Sequence, residues 1–141
     1  MDPACLRAVP HRKQAQLAAL LGAVEPMAAR AGRIVDVGAG SGHFTRLAAE
    51  AFDRAAVGLE RRAERVAAAE RRLGVGPGAG SATYVTLDAD RDALALAGDD
   101  LAVGLHACGK LGDDLVLAVA AARCDLALVS CCLQKRAEAW R

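Results

Sequence analysis

Apolar residues recur along the chain in two alternating rhythms. From His11 onward, Leu17, Leu20, Leu21 and Val24 fall at i, i+3, i+4 and i+7, the stripe of an amphipathic helix. The spacing predicts a helix over 11–31, kinked or restarted at Pro26 and closed by Gly32. Short apolar runs at 34–37, 55–59, 82–87, 101–105 and 125–129, each bounded by turn residues or charges, predict five strands. Helical spacing returns between them over 43–52, 61–73 and 111–122. The glycine-proline stretch 74–80 reads as a loop, 90–100 as an acidic loop with a short helix or turn at most, and 133–141 as a frayed polar end. Strands that alternate with helices predict an α/β domain built on a mostly parallel sheet. One domain is expected over 1–141, with the N-terminal helix at 11–31 and the α/β core at 33–132.

Composition changes this picture in three places. A chain of 141 residues suffices for one buried core, and with 54% hydrophobic but only 3% aromatic residues that core must be built from Ala, Leu and Val. The net charge of +1 provides no global field for nucleic acid, although a local basic patch remains compatible with it. No apolar run approaches the ~18 residues of a membrane span, so no membrane partner is expected. Five cysteines, with Cys131 and Cys132 adjacent, do not make a secreted disulfide framework, and a cytoplasmic setting is expected.

The chemistry begins at the first strand. Asp36 sits inside an apolar run and is followed by Gly38, Ala39, Gly40, Ser41 and Gly42 before the next helix. Strand, glycine turn and helix place a ligand site at the carboxyl edge of a parallel sheet. The third glycine comes one position too early for a dinucleotide fingerprint, and no Lys follows to make a phosphate loop. Asp36 would repel a pyrophosphate but suits a cationic ligand. S-adenosylmethionine has an ammonium, a sulfonium and no phosphate. Glu60, at the end of the second strand, stands where an acid accepts ribose hydroxyls; complementing the dipole of the following helix is its plainer role. Asp88, after the third strand, can accept from an adenine amino group, with the Ala89 amide at the ring edge. Arg12 and Lys13 read first as a solvated basic helix end, and second as a contact to a second substrate or its phosphates.

The pattern D-x-G-x-G-x-G from Asp36 to Gly42 resembles the first motif of the class I S-adenosylmethionine-dependent methyltransferases. The resemblance narrows at two later strand ends. His106-Ala107-Cys108-Gly109 and Cys131-Cys132 resemble the H-x-C-G and C-C motifs of a methyltransferase-domain family. That family includes rRNA adenine dimethylase domain-containing proteins, a tRNA ribose methyltransferase group and the methyltransferase portion of glutathione S-transferase C-terminal-domain-containing proteins. The similarity runs from Arg12 to Lys135 and includes the Arg12-Lys13 pair. It implies a Rossmann-like class I sheet, S-adenosylmethionine as cofactor, and an acceptor that is RNA in some members. Cofactor contacts are then expected at Asp36, Gly38, Ala39, Gly40, Gly42, Glu60, Asp88 and Ala89, and acceptor-side or catalytic roles at His106 and Cys108. Leu133 stands where many members carry an aromatic residue suited to base stacking. The full fold has seven strands, so the sheet is expected to be shortened to about five, or completed by a partner chain.

Two other readings use the same residues. One is an S-adenosylmethionine-binding module without catalysis. The other is a zinc or iron–sulfur centre on His106, Cys108, Cys131 and Cys132, a ligand set that zinc accepts. Neighbouring cysteines on extended chain point in opposite directions and C-x₂-C spacing is absent, so no bound metal is expected.

Overall fold

A computed structural model describes residues 9–73, 81–89 and 91–131. In chain order the elements are α1 (His11–Ala28), β1 (Arg33–Val37), α2 (His43–Phe52), β2 (Ala55–Glu60), α3 (Ala63–Leu73), β3 (Ala82–Thr86), β4 (Asp100–Leu105), α4 (Lys110–Ala122) and β5 (Asp125–Val129). The five strands form one sheet in the order β3-β2-β1-β4-β5, and every neighbouring pair is parallel. The chain therefore starts at the centre, winds outward to β3, and crosses back over β1 to continue through β4 and β5. The gap between the outgoing halves, beside β1, is where an open α/β sheet binds ligands.

Strand alternation separates two cores. Ile34, Leu101 and Val103 point to one face and pack with Leu17, Leu20, Leu21 and Val24 of α1 and Phe44 and Leu47 of α2. Val35, Val37 and Ala102 point to the other, against Leu115 and Val119 of α4. Ile34, Leu47, Leu101 and Leu115 are fully buried, each contributing about 1.5–3 kcal/mol of transfer free energy. Between β3 and β4 the described residues hold turns rather than a helix. Leu87, Ala89, Leu94 and Leu96 of that stretch cover the second face instead.

The expected elements are all present, with shifted ends. α1 passes through Pro26 and stops at Ala28, not at 31, because proline so near the end of the helix removes only a bond close to its last turn. β4 begins at Asp100, one residue before the apolar run. There Arg33, opening β1, grips the Asp100 carboxylate with Nε at 2.9 Å and Nη2 at 2.6 Å, while Ala97 N–H adds a bond at 2.8 Å. Burial pushes the Asp100 carboxyl up, but these donors outweigh it and hold the group below the usual carboxylate range. Among the described residues, no helix is long and apolar enough to cross a membrane. The expectations for 74–80, Cys132 and 133–141 lie outside the described residues.

Candidate functional site

The carboxyl ends of the strands converge on the loop from Gly38 to Gly42. Its backbone is tied to β2: Gly38 N–H and Ala39 N–H both donate to Leu59 O, at 2.8 and 2.9 Å. Glu60 fixes the next turn. One carboxylate oxygen accepts from Gly40 N–H at 2.9 Å, and the other from Arg62 N–H at 3.0 Å. Glu60 is buried, with the Arg65 guanidinium 4.0 Å away. It thus organises the loop and also caps the approach to α3, while each oxygen retains a second lone pair.

Asp36 lies beneath the loop, 2% exposed, and accepts a 2.7 Å hydrogen bond from the Thr45 hydroxyl of α2. Desolvation pushes its carboxyl up to about 6; the Thr45 bond pulls the other way and the Glu60 charge adds to the rise. Tyr84 of β3 reaches across the sheet, and its hydroxyl donates to Gly42 O at 2.7 Å. Burial, with the nearby Asp36 charge, pushes this phenol up to about 12. The His43 imidazole is held below its usual range by burial and by the charges of Arg72, Lys13 and Arg46.

Two cavities open on either side of this loop. The smaller, about 270 Å³, is walled by Lys13 and Gln16 of α1 together with Asp36, Ala39, Gly40 and His43. The larger, about 420 Å³, is walled by Glu60, Arg62, Asp88, Ala89, Cys108 and Leu111. Gly38 and His106 belong to both walls. His106 follows β4 with a left-handed φ of 64°, uncommon for a side chain of its size, and its Nε2 lies 3.2 Å from Gln16 Nε2.

The residues expected at the site are sorted by these walls. Asp36, Gly38, Ala39 and Gly40 meet at the smaller cavity, and Gly38, Glu60, Asp88 and Ala89 at the larger. Gly42 lines neither: a Cβ there would lie 2.5 Å from the Tyr84 ring, so its need for glycine comes from protein packing. Cys108 lies on the larger cavity, with its Sγ against Cys131. Among the described residues no three His, Cys, Asp or Glu side chains gather as a metal site. Lys13, exposed at the start of α1, also borders the smaller cavity. Gln16, Thr45 and Tyr84 had no signal in the local sequence, since each acts on a residue far from it in the chain.

A family model described as Methyltransferase domain matches residues 12–139. No curated protein matches the sequence. Solved structures match the fold. Magnesium protoporphyrin IX methyltransferase from Synechocystis, with bound SAH, superposes with a TM-score of 0.60 and 17% identity, over 83% of this chain and 54% of that one. The amino pentose methyltransferase CalS10 from Micromonospora echinaspora, with bound SAM, gives 0.62 and 21%, over 82% and 50%. A TehB-like SAM-dependent methyltransferase from Corynebacterium glutamicum gives 0.61 and 16%, over 90% and 73%. At such identities the likeness is one of fold, the Rossmann-like class I methyltransferase sheet. This chain spans about half the length of the first two structures.

Proposed function

The chain belongs to the Methyltransferase domain family, and we propose that it binds S-adenosylmethionine across the two cavities and transfers its methyl group to an acceptor. The observation that carries this reading is the placement of carboxylates in both cavities, Asp36 in one and Glu60 and Asp88 in the other. The smaller pairs one buried acid, Asp36, with one base, Lys13, which complements the ammonium and carboxylate of an amino-acid end. The larger sets the acids Glu60 and Asp88 among Arg61, Arg62 and Arg65, with the apolar Ala89 and Leu111 beside them; the two carboxylates complement ribose hydroxyls and a purine amino group. S-adenosylmethionine has these two ends, joined at the sulfonium, and the cavities join at Gly38 and His106.

The transfer needs little covalent help. An acceptor lone pair attacks the methyl carbon, the carbon–sulfur electron pair stays on sulfur, and S-adenosylhomocysteine leaves. The domain aligns the three atoms and excludes water. His106, at the junction, orients the acceptor through its ring N–H. Arg72, exposed and donating to Ser41 O at 3.2 Å, suits an anionic acceptor, and RNA, the acceptor of some members of the family the sequence resembles, is one such.

Calorimetry with S-adenosylhomocysteine tests the binding reading. The parent should bind, and Gly40→Val should abolish binding while remaining folded. At Gly40 a Cβ meets no atom closer than 3.9 Å, so a larger side chain would fill ligand space more than disturb protein. Unchanged affinity in folded Gly40→Val would refute the placement.

Gln16 tests the role of His106. Its amide nitrogen donates to Nε2 and so leaves Nδ1 as the N–H that orients the acceptor. Gln16→Ala is expected to lower kcat about 5- to 10-fold, the scale of one orienting hydrogen bond, while S-adenosylhomocysteine affinity holds. A matching loss of cofactor affinity would instead make Gln16 a wall residue only.

A further inference from the structure

A second constellation stands at the same sheet edge and does not depend on the methyl-transfer reading. β4 and β5 pair in register with Leu105 opposite Val129, and His106 N–H extends the ladder to Val129 O at 2.9 Å. Neighbouring strands lie about 4.8 Å apart, so the turns leaving them start side by side. Cys108 follows Leu105 by three residues and Cys131 follows Val129 by two. Their Sγ atoms are 3.2 Å apart, and Cys131 N–H donates to Cys108 Sγ at 3.2 Å. Ser130 Oγ lies 3.9 Å from the same sulfur. Neither cysteine is in a disulfide. Cys131 is exposed, whereas Cys108 is half-buried on the wall of the larger cavity.

We propose that Cys108 and Cys131 form a redox-active dithiol, a site for reversible oxidation by low-molecular-weight disulfides of the glutathione class. Exposure makes Cys131 the first to react. Its thiolate attacks one sulfur of oxidised glutathione, the glutathione S–S bond breaks, and one glutathione thiolate leaves and takes up the proton that Cys131 lost. Cys108 then attacks the Cys131 sulfur of the mixed disulfide. The second glutathione leaves as thiolate and takes the Cys108 proton. Two protein thiols are oxidised to one disulfide, and one glutathione disulfide is reduced to two thiols. The Cys131 N–H bond to Cys108 Sγ strengthens once that sulfur carries charge, which favours the second attack. Sulfurs already 3.2 Å apart need to close by only about 1.2 Å to reach the ~2.05 Å of a disulfide. Cys124, at the opposite end of β5, is a built-in control: burial pushes its thiol up, away from the reactive form.

The test treats the whole chain with oxidised glutathione under native conditions, then alkylates and maps peptides by mass spectrometry. The expected result is the loss of two thiols and a single cross-linked pair joining Cys108 to Cys131, reversed by dithiothreitol. In folded Cys108→Ser, glutathione should remain trapped on Cys131; in folded Cys131→Ser, Cys108 should react more slowly than Cys131 does in the parent. The proposal fails if Cys132 replaces either partner in the cross-link, if no cross-link forms, or if native and urea-unfolded protein give the same mixture of pairings.

Discussion

Gly42→Ala is expected to cost the domain roughly 3 kcal/mol of stability, combining about 1–2 kcal/mol for a side chain in left-handed backbone with about 1–3 kcal/mol of overpacking. Gly42 has φ of 73°, and an added Cβ would lie 2.5 Å from Tyr84 Cε1 and 2.7 Å from its hydroxyl oxygen. The ring has no ready retreat. Its hydroxyl is bonded to Gly42 O, and Val66 and Ala69 of α3 pack on it. Gly40→Ala, with φ of 58° and no atom within 3.9 Å of the added Cβ, should lose only the backbone component, about 1–2 kcal/mol. Urea denaturation of both variants separates the two effects. Adding Tyr84→Leu to Gly42→Ala should recover the overpacking share and leave the backbone share. Equal losses at positions 40 and 42 would refute the steric account.

Asp36→Asn is expected to stabilise the ligand-free domain near neutral pH and to weaken cofactor binding. Burial raises the Asp36 carboxyl from 3.8 to about 6. A carboxyl raised on folding contributes its full stability below the unfolded value, and that contribution is lost as pH rises through the folded value. Between pH 4 and 6 the unfolded chain has released a proton that the folded chain still holds, so stability falls across this window. A rise of about two units corresponds to roughly 3 kcal/mol. Asparagine keeps an oxygen to accept the Thr45 hydroxyl and removes the penalty. It also removes the negative charge that an ammonium would meet, so S-adenosylhomocysteine affinity should fall about 10- to 100-fold, the scale of a hydrogen bond to a charged group. Denaturation at pH 4, 5 and 7 together with calorimetry reads both quantities. A variant whose stability falls with pH as steeply as the parent's would show that Asp36 is not the titrating group.

The fold was legible because its strands are short apolar runs bounded by turn residues, and each of the five runs became a strand. Legibility ended wherever a residue's role depends on a distant partner. Asp100 joins β4 because Arg33, 67 residues earlier, neutralises it. Asp36 stood out as an acid in an apolar strand, but its Thr45 donor did not, since a threonine nine residues on carries no mark of which way it faces. Gly42 read as a ligand contact because it completes a motif. Its steric neighbour is Tyr84, placed there by the β2–β3 register of Gly58 with Tyr84. Lys13 and Gln16 read as the polar face of a helix; only the lie of α1 across the strand ends brings them to the smaller cavity. The 3.2 Å approach of Cys131 to Cys108 was not legible, because it depends on the turns leaving two strands.

The shared wall of Gly38 and His106 has a consequence for inhibitor design. If the two compartments hold S-adenosylmethionine as proposed, they can be addressed by separate fragments, one shaped like an amino acid and one like a nucleoside. Each alone fills one compartment and binds weakly. A short tether passing Gly38 makes the second docking event intramolecular, at an effective concentration on the order of millimolar, and can raise affinity by about 10²–10⁴ over either piece without a new contact. The best tether is the shortest one that clears the His106 ring, so the position of one side chain sets the length of the linker.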